Sequence, residues 1–462
     1  MSLLRLPPTV VAAALLSAAC SGGGDGSKAS RADTAAPDPA KPRGQWYVAE
    51  DGPLTDAQAA SARALEGLGY ASGMEEMRAA VGVLRHDAAR AMDGLNLYVS
   101  GHGAEALLVD MDGTLVHRWA HAPSEIWPDR AGLDFSFFRK ARLLPDGGLL
   151  GIFEGKGLVR LDRDSNVVWS YAGPAHHDAQ LLSDGVVVAL DRRAAVFPAF
   201  HEERPLLDDR LTFFSPDGEV LRHVSLMEAL MRSPFAETVR RRVEKRIRAG
   251  LEALELARER YAAEIAANPE LAEGLGTVGD VFHTNSIRRV DAALAEAIDG
   301  LEEGWFLLSL RELDALVALD VAGDEPIARW YLQGTWRGQH EAVPLATGRI
   351  LLFDNHGARR AGAPGRARVL EVDPSSGDVL WTYAGVPPVG LMSPVGGSCQ
   401  RLANGNTLVI ESTRGRAVEV TPEGDVVWEF SSPHRAGEDE ELVAFLPDVV
   451  RIDRAAVQAW LG

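Results

Sequence analysis

Cysteine is almost absent: the 462 residues hold two, Cys20 and Cys399. A disulfide-stapled scaffold is excluded, so stability has to come from packing. Basic charge is also scarce, with 47 Lys and Arg against 66 Asp and Glu, a net charge of −19. A surface of that sign repels nucleic acid and anionic membrane faces, and neither is expected as a partner. An anionic small molecule would need a local basic site set against the overall field. Long apolar runs are missing too, and Val10–Leu16 is too short to span a bilayer.

What is present begins with a secretory signal over residues 1–20, in which Arg5 is the charged start and Val10–Leu16 the apolar core. Ser17, Ala18 and Ala19 before Cys20 match a bacterial lipoprotein cleavage site, with Cys20 acylated. The expected location is the periplasm, anchored by lipid to the outer membrane. Leu16 stands one position further from Cys20 than that pattern wants, which leaves plain secretion as the alternative. Residues 21–45 are rich in Gly, Ser, Ala, Asp and Pro and read as a flexible tether. Within 46–95, Thr55–Leu68 and Met74–Met92 have helical apolar spacing and predict a small helical cap.

From Asn96 the chain repeats. A Gly, Asp or Asn turn, a few apolar residues and a Trp recur at Trp119, Trp169, Trp330, Trp381 and Trp428. The separations are 50 residues from Trp119 to Trp169, 51 from Trp330 to Trp381 and 47 from Trp381 to Trp428. Arg222 stands where the third unit would carry its Trp. A period near 50 with about four short strands is the mark of a propeller blade. The units run over about 136–173, 174–226, 280–334, 338–385 and 395–431, plus 96–121. The last of these has three strands, and the C-terminal AFLPDVVRID is expected to supply the fourth. The expectation over 96–462 is therefore all-β: a six-bladed β-propeller closed by a C-terminal strand, seven blades being the alternative. A helical hairpin or lid is expected over 226–274, where no Gly falls between Met227 and Ala249. Its basic run Arg240–Arg248 is read as a solvated helix face.

A second periodicity bears on function. His340, in Trp336-Arg337-Gly338-Gln339-His340-Glu341, lies eight residues before the turn glycine Gly348. His177 lies eight before Gly185, Arg139 eight before Gly147, and His283 eight before Asp291. The last unit has Gly397 at that place, eight before Gly405. Equivalent positions on the first strands of successive blades share one height in the channel, so the offset predicts a ring of basic side chains. The bland alternative is that these histidines only cap strand starts with hydrogen bonds.

The strings WRGQHEAVPLATGRILLFDN, DVFHTNSI with FLLSLRELDALVALD, HHDAQLL and LANGNTLVIESTRGRAVEVTPEGDVVW, taken in order, resemble bacterial aryl-sulfate sulfotransferases. These are six-bladed propellers that use no nucleotide sulfate donor. The resemblance covers about Asn96 to His434. It implies that His340 is the nucleophile, taking a sulfuryl group from a phenolic sulfate and passing it to a phenolic acceptor. It implies sulfate binding and proton transfer for His283, Arg311 and His177, with Asn285 in the same motif and His176 the alternative to His177; Arg139 joins them from the offset alone. No cofactor and no metal are implied, and the partners are the aryl sulfate donor and the phenol. Oligomeric state stays open, a homodimer included. Some relatives carry a disulfide that this chain cannot make.

The residue types suit that chemistry by themselves. The nonbridging oxygens of a sulfate monoester repel anionic nucleophiles, whereas neutral imidazole adds no charge. A loose in-line transition state is helped mainly by positioning and by a fixed fork of donors such as arginine. The rival of another class is a non-catalytic binding or scaffold propeller of the cell envelope. A quinone-dependent dehydrogenase is prompted only by the generic VLWTYAG and VVWSYAG strings, and a metal site would draw on His176, His177, Asp178 and His340.

Overall fold

The computed structural model describes residues 55, 58, 73–130, 137–260, 262, 279–357, 366–387, 389–437 and 439–461. Cys20, the tether and most of Thr55–Leu68 lie outside them. Six antiparallel sheets of four or five strands dominate, with one three-stranded sheet beside them. In chain order of their outer strands, sheet I joins Asp448–Ile452, Leu95–Val99, Glu105–Val109 and Leu115–Ala120. Sheets II to VI begin at the inner strands Phe138–Leu143, Ala175–Leu181, Thr284–Arg289, His340–Pro344 and Ser398–Arg401. The architecture is all-β and propeller-like, with inner strands that touch one another in sequence, II to III, III to IV, IV to V, V to VI, VI to I and I to II.

Middle strands such as Phe306–Leu310 and Ile350–Asp354 are buried at every residue. Such strands read as unbroken apolar runs because both faces meet a neighbouring sheet. Each seam between adjacent sheets holds its own hydrophobic cluster. Leu97, Trp119, Phe138 and Phe153 fill the seam of I and II, and Tyr98, Leu408, Trp428 and Phe430 that of VI and I.

The Trp period has a physical cause. On the otherwise exposed outer strand Val167–Tyr171 only Trp169 is buried, and its indole N–H donates to the Pro216 carbonyl of sheet III at 3.1 Å. Trp119 donates to Gly147 at 3.0 Å, Trp381 to Pro422 at 2.8 Å and Trp428 to Met111 at 2.9 Å, each on the next sheet. Arg222, the exception in the sequence, does the same work: its Nη1 donates to the Val321 carbonyl of sheet IV at 3.0 Å. Trp428→Phe is expected to keep the packing and lose one buried hydrogen bond, lowering stability by about 1 kcal/mol in urea unfolding; Trp428→Ala should cost about 3–5 kcal/mol.

Asp448–Ile452 pairs antiparallel with Leu95–Val99, Val450 opposite Leu97, as AFLPDVVRID led one to expect. The expectation of a helix over Met74–Met92 is wrong. Gly73–Glu76 pairs with Leu442–Ala444 in the three-stranded sheet, and Gly82–His86 adds a fifth strand to sheet VI against Val426–Ser431. Helix-forming Met, Glu and Ala yield there to unsatisfied sheet edges, a tertiary effect that propensity does not carry. Between sheets III and IV lie helices Leu226–Met231 and Ala236–Arg260. Val239, Val243 and Ile247 of the longer one pack into the cluster at that seam. Part of its basic run is not solvated: Arg242 donates to the Leu313 carbonyl at 2.9 Å, and Arg246 pairs with Glu312 at 2.6 Å.

Candidate active site

Side chains at neighbouring positions of a regular strand point to opposite faces. The inner strands escape that rule where they begin. His177, His283 and Glu341 have φ of 52°, 48° and 50°, the left-handed region that non-glycine residues seldom occupy. The ladder registers break between Ala175 and Ala179, Thr284 and Ser286, His340 and Val343, and Phe138 and Lys140. Such bulges re-aim side chains, and here each lies where an inner strand begins.

The predicted histidines meet there. The ring centres of His177 and His283 are 4.8 Å apart, and those of His177 and His340 6.4 Å. His176 and His177, adjacent in sequence, converge so that their Nδ1 atoms lie 3.0 Å apart. Arg139 and Arg311 sit close enough to act electrostatically on His340, and Arg139 on His177 as well. Asn285 donates from Nδ2 to the Gln339 carbonyl at 2.7 Å, tying the strand start of sheet IV to the residue before His340. Gly397, where the fifth unit would offer a basic group, instead has φ 98° and lies against Phe353, where a Cβ would collide at 2.5 Å. Of the predicted site residues, only Cys20 lies outside the described residues.

Sequence reasoning missed the partners. Asp280 holds Nδ1 of His283 at 2.5 Å, Asn355 holds Nδ1 of His340 at 2.6 Å, and Glu154 lies 3.3 Å from Nδ1 of His177. Asp209 accepts from the Thr284 amide at 2.7 Å and stands 3.7 Å from Nε2 of His176. A signal existed. Glu154, Arg311 and Asn355 come directly after the second strands of sheets II, IV and V, which run back to the same end as the first strands begin.

Burial pushes His340 well below the ordinary imidazole range, reinforced by Arg311 and Arg139. Burial, then Arg139, does the same for His177, and burial with Arg192 for His176. Asp209 is pushed up to about 7 by burial and by Asp280. Burial opposes ionisation of Asp280 also, but His283 and Arg192 outweigh it and hold the carboxyl well below its usual range. Burial and guanidinium groups thus favour the uncharged form of His176, His177 and His340. Nε2 of His340 is buried with no hydrogen-bond partner among the described residues.

Asp178, one of the ligands a metal site would have used, is turned away to Arg142 at 2.7 Å and Arg288 at 2.6 Å. Glu154, His176 and His177 do bring three ligand atoms within 4.8 Å of one another. Arg192 lies 3.8 Å from that Glu154 carboxylate and Arg139 acts on His177, an environment that favours an anion over a dication.

Fold and site together define an all-β, propeller-like protein in which His176, His177, His283 and His340 gather with arginines where the inner strands begin. The sequence model of the arylsulfotransferase (ASST) family matches residues 140–433, and the chain belongs to that family, enzymes of the aryl-sulfate sulfotransferase type. No curated protein matches the chain. Among solved structures it is similar to a protein of unknown function from Bacteroides caccae, at 12% identity over 78% of this chain and 99% of that one, with a TM-score of 0.46. The WD40 β-propeller domain of Doa1 gives 12% identity over 84% and 99%, with a TM-score of 0.39. Virginiamycin B lyase from Staphylococcus aureus gives 10% over 63% and 69%, with a TM-score of 0.34. At such distances no residue carries over from those chains to this one.

Proposed function

We propose that this protein moves a sulfuryl group from a phenolic sulfate ester to a phenolic acceptor through a sulfohistidine on His340, without a nucleotide donor. The observation that carries the reading is the bare Nε2 of His340, buried beside His177, His283, Arg139 and Arg311 in a chain of this family. The Nε2 lone pair attacks sulfur as the bond from sulfur to the aryl oxygen breaks. Arg311 and Arg139 receive the charge on the nonbridging oxygens. His283 protonates the leaving phenolate; its Asp280 partner supplies the counter-ion, and at 18% side-chain exposure it is the histidine of the three that solvent reaches most. A second phenol then gives its proton to His283, attacks sulfur and frees His340. Asn285 and His176 act on the substrate side of the pocket by holding the two bulged strand starts.

The six sheets are, in this reading, the blades of one closed propeller; the six hydrophobic seams and the Trp428 contact from sheet VI to sheet I support it. The helices between sheets III and IV form an insertion at the rim. Cys20 carries a lipid anchor in the periplasm; no helix among the described residues is long and apolar enough to cross a membrane. Substitution Cys20→Ser should move the protein from the membrane to the soluble fraction.

The deciding assay is p-nitrophenyl sulfate with and without added phenol. Nitrophenol release that depends on phenol, with the sulfate recovered on phenol, is expected; release equal in both conditions would make the protein a sulfatase. Arg311→Lys keeps the charge and loses the fork, and should cost about 2–3 kcal/mol of transition-state stabilisation in kcat/KM. The pH profile follows from the depressed imidazoles. His340 stays unprotonated down to pH values below the ordinary 6.5, so the acid limb of kcat/KM should fall below that value rather than at it.

A further inference from the structure

We propose that Asn355 is a positioning residue that fixes which nitrogen of His340 is free to react. The inference rests on the reading of His340 as the nucleophile. Asn355 is 1% exposed and sits in the bend after Ile350–Asp354. Its Nδ2 donates to two carbonyls, Ser393 at 2.7 Å and Gly396 at 2.5 Å. Carbonyl oxygens can only accept, so the amide cannot be turned over: its NH2 must face them and its Oδ1 must face His340. That oxygen lies 2.6 Å from Nδ1 of His340. A carbonyl oxygen accepts, so Nδ1 has to carry the hydrogen and Nε2 has to carry the lone pair. The orientation is a consequence of partners rather than of how an amide was drawn.

The clamp is itself held. Ser393 donates from Oγ to the Val395 carbonyl at 2.9 Å, and the Gly397 amide donates to Oγ of Ser412 at 2.7 Å. A segment that lies between sheets V and VI therefore sets the tautomer of a histidine on sheet V. The same argument separates this site from a carboxylate–histidine pair. A carboxylate at position 355 would put an oxygen against two carbonyl oxygens, so here the amide is the residue that satisfies all three neighbours at once.

The test starts with the unmodified protein. Side-chain nitrogen NMR of histidine-labelled enzyme, with His340 assigned by its loss in His340→Gln, should show Nδ1 protonated and Nε2 bare at neutral pH. A proton on Nε2 overturns the proposal, and this readout needs no turnover, so it stands apart from the fate of the transferase reading. In Asn355→Ala the His340 signal should become a mixture of tautomers, and kcat should fall roughly 100-fold with donor KM nearly unchanged. An unchanged kcat, or a loss wholly in KM, overturns it. Asn355→Asp should fail to rescue, its activity lying nearer Asn355→Ala than wild type; full activity there also overturns it. Should either variant fail to fold by circular dichroism, the spectrum of the wild type decides.

Discussion

Replacing His340 by alanine is expected to abolish transfer, by about 10⁴-fold or more in kcat, while leaving the fold almost untouched. The ring belongs to neither neighbouring hydrophobic cluster and lies 6.4 Å, centre to centre, from that of His177. His340→Asn should fail as completely. An amide can take the place of imidazole as a hydrogen-bonding group, but it offers no nitrogen lone pair to sulfur. Mass spectrometry of enzyme quenched with donor alone should find an adduct of about 80 Da on the peptide that holds His340, absent in both variants. Transfer surviving in His340→Ala would remove His340 from the mechanism, and an adduct on His283 or His177 would reassign the nucleophile. His283→Ala, by contrast, should slow donors with poor leaving groups most, because nitrophenolate leaves without much help from a proton.

A large loss of stability, matching that of Trp428→Ala, should come from Lys140→Met. Further along the inner strands than the histidines, buried charges pair from sheet to sheet. Lys140 meets Glu341 at 2.9 Å and Asp448 at 3.0 Å, Arg288 bridges Glu341 and Asp178, and Arg142 meets Asp178. Three cations face three anions, so the belt is neutral. Removing Lys140 leaves Glu341 without one of its two partners and Asp448 with the hydroxyl of Ser398, at 2.7 Å. Stranding buried carboxylates in this way costs about 3–5 kcal/mol, read as a lowered urea midpoint. Adding Glu341→Gln and Asp448→Asn to the same chain should recover part of the loss, which simple additivity would not. The sign with pH can be checked as well. Burial opposes the Asp448 carboxylate, but Lys140 and Arg142 hold it below its usual range. That stabilisation is present above about pH 4 and lost as pH falls through the depressed value, so the gap between wild type and Lys140→Met should narrow in acid.

Much of this was legible because repetition converts sequence spacing into space. Of the four basic residues at one offset, His283 and His340 lie close to His177 and Arg139 acts electrostatically on His177 and His340, and the C-terminal strand does find Leu95–Val99. The residues that hold them were harder to see. Asp280 stands three residues from His283, but Asn355 and Glu154 act on histidines 15 and 23 residues away, and no short motif links Asn355 to Ser393 and Gly396. The strands Gly73–Glu76 and Gly82–His86 were misread because their partners lie more than 300 residues further on, at Leu442–Ala444 and Val426–Ser431. Arg222 looked like a gap in the Trp series, since its likeness to Trp lies in one donated hydrogen bond and in how it lies over Phe213, 4.3 Å from the ring centre.

The neutral belt also gives the protein a sense of time. Its cation Lys140 is made early, on the first strand of sheet II, and is partnered by Asp448 on the strand that completes sheet I. Without that last segment the chain lacks the strand beside Leu95–Val99, and Lys140 keeps Glu341 alone of its two carboxylate partners. Under the proposed reading, turnover is expected only from a chain that carries its last strand.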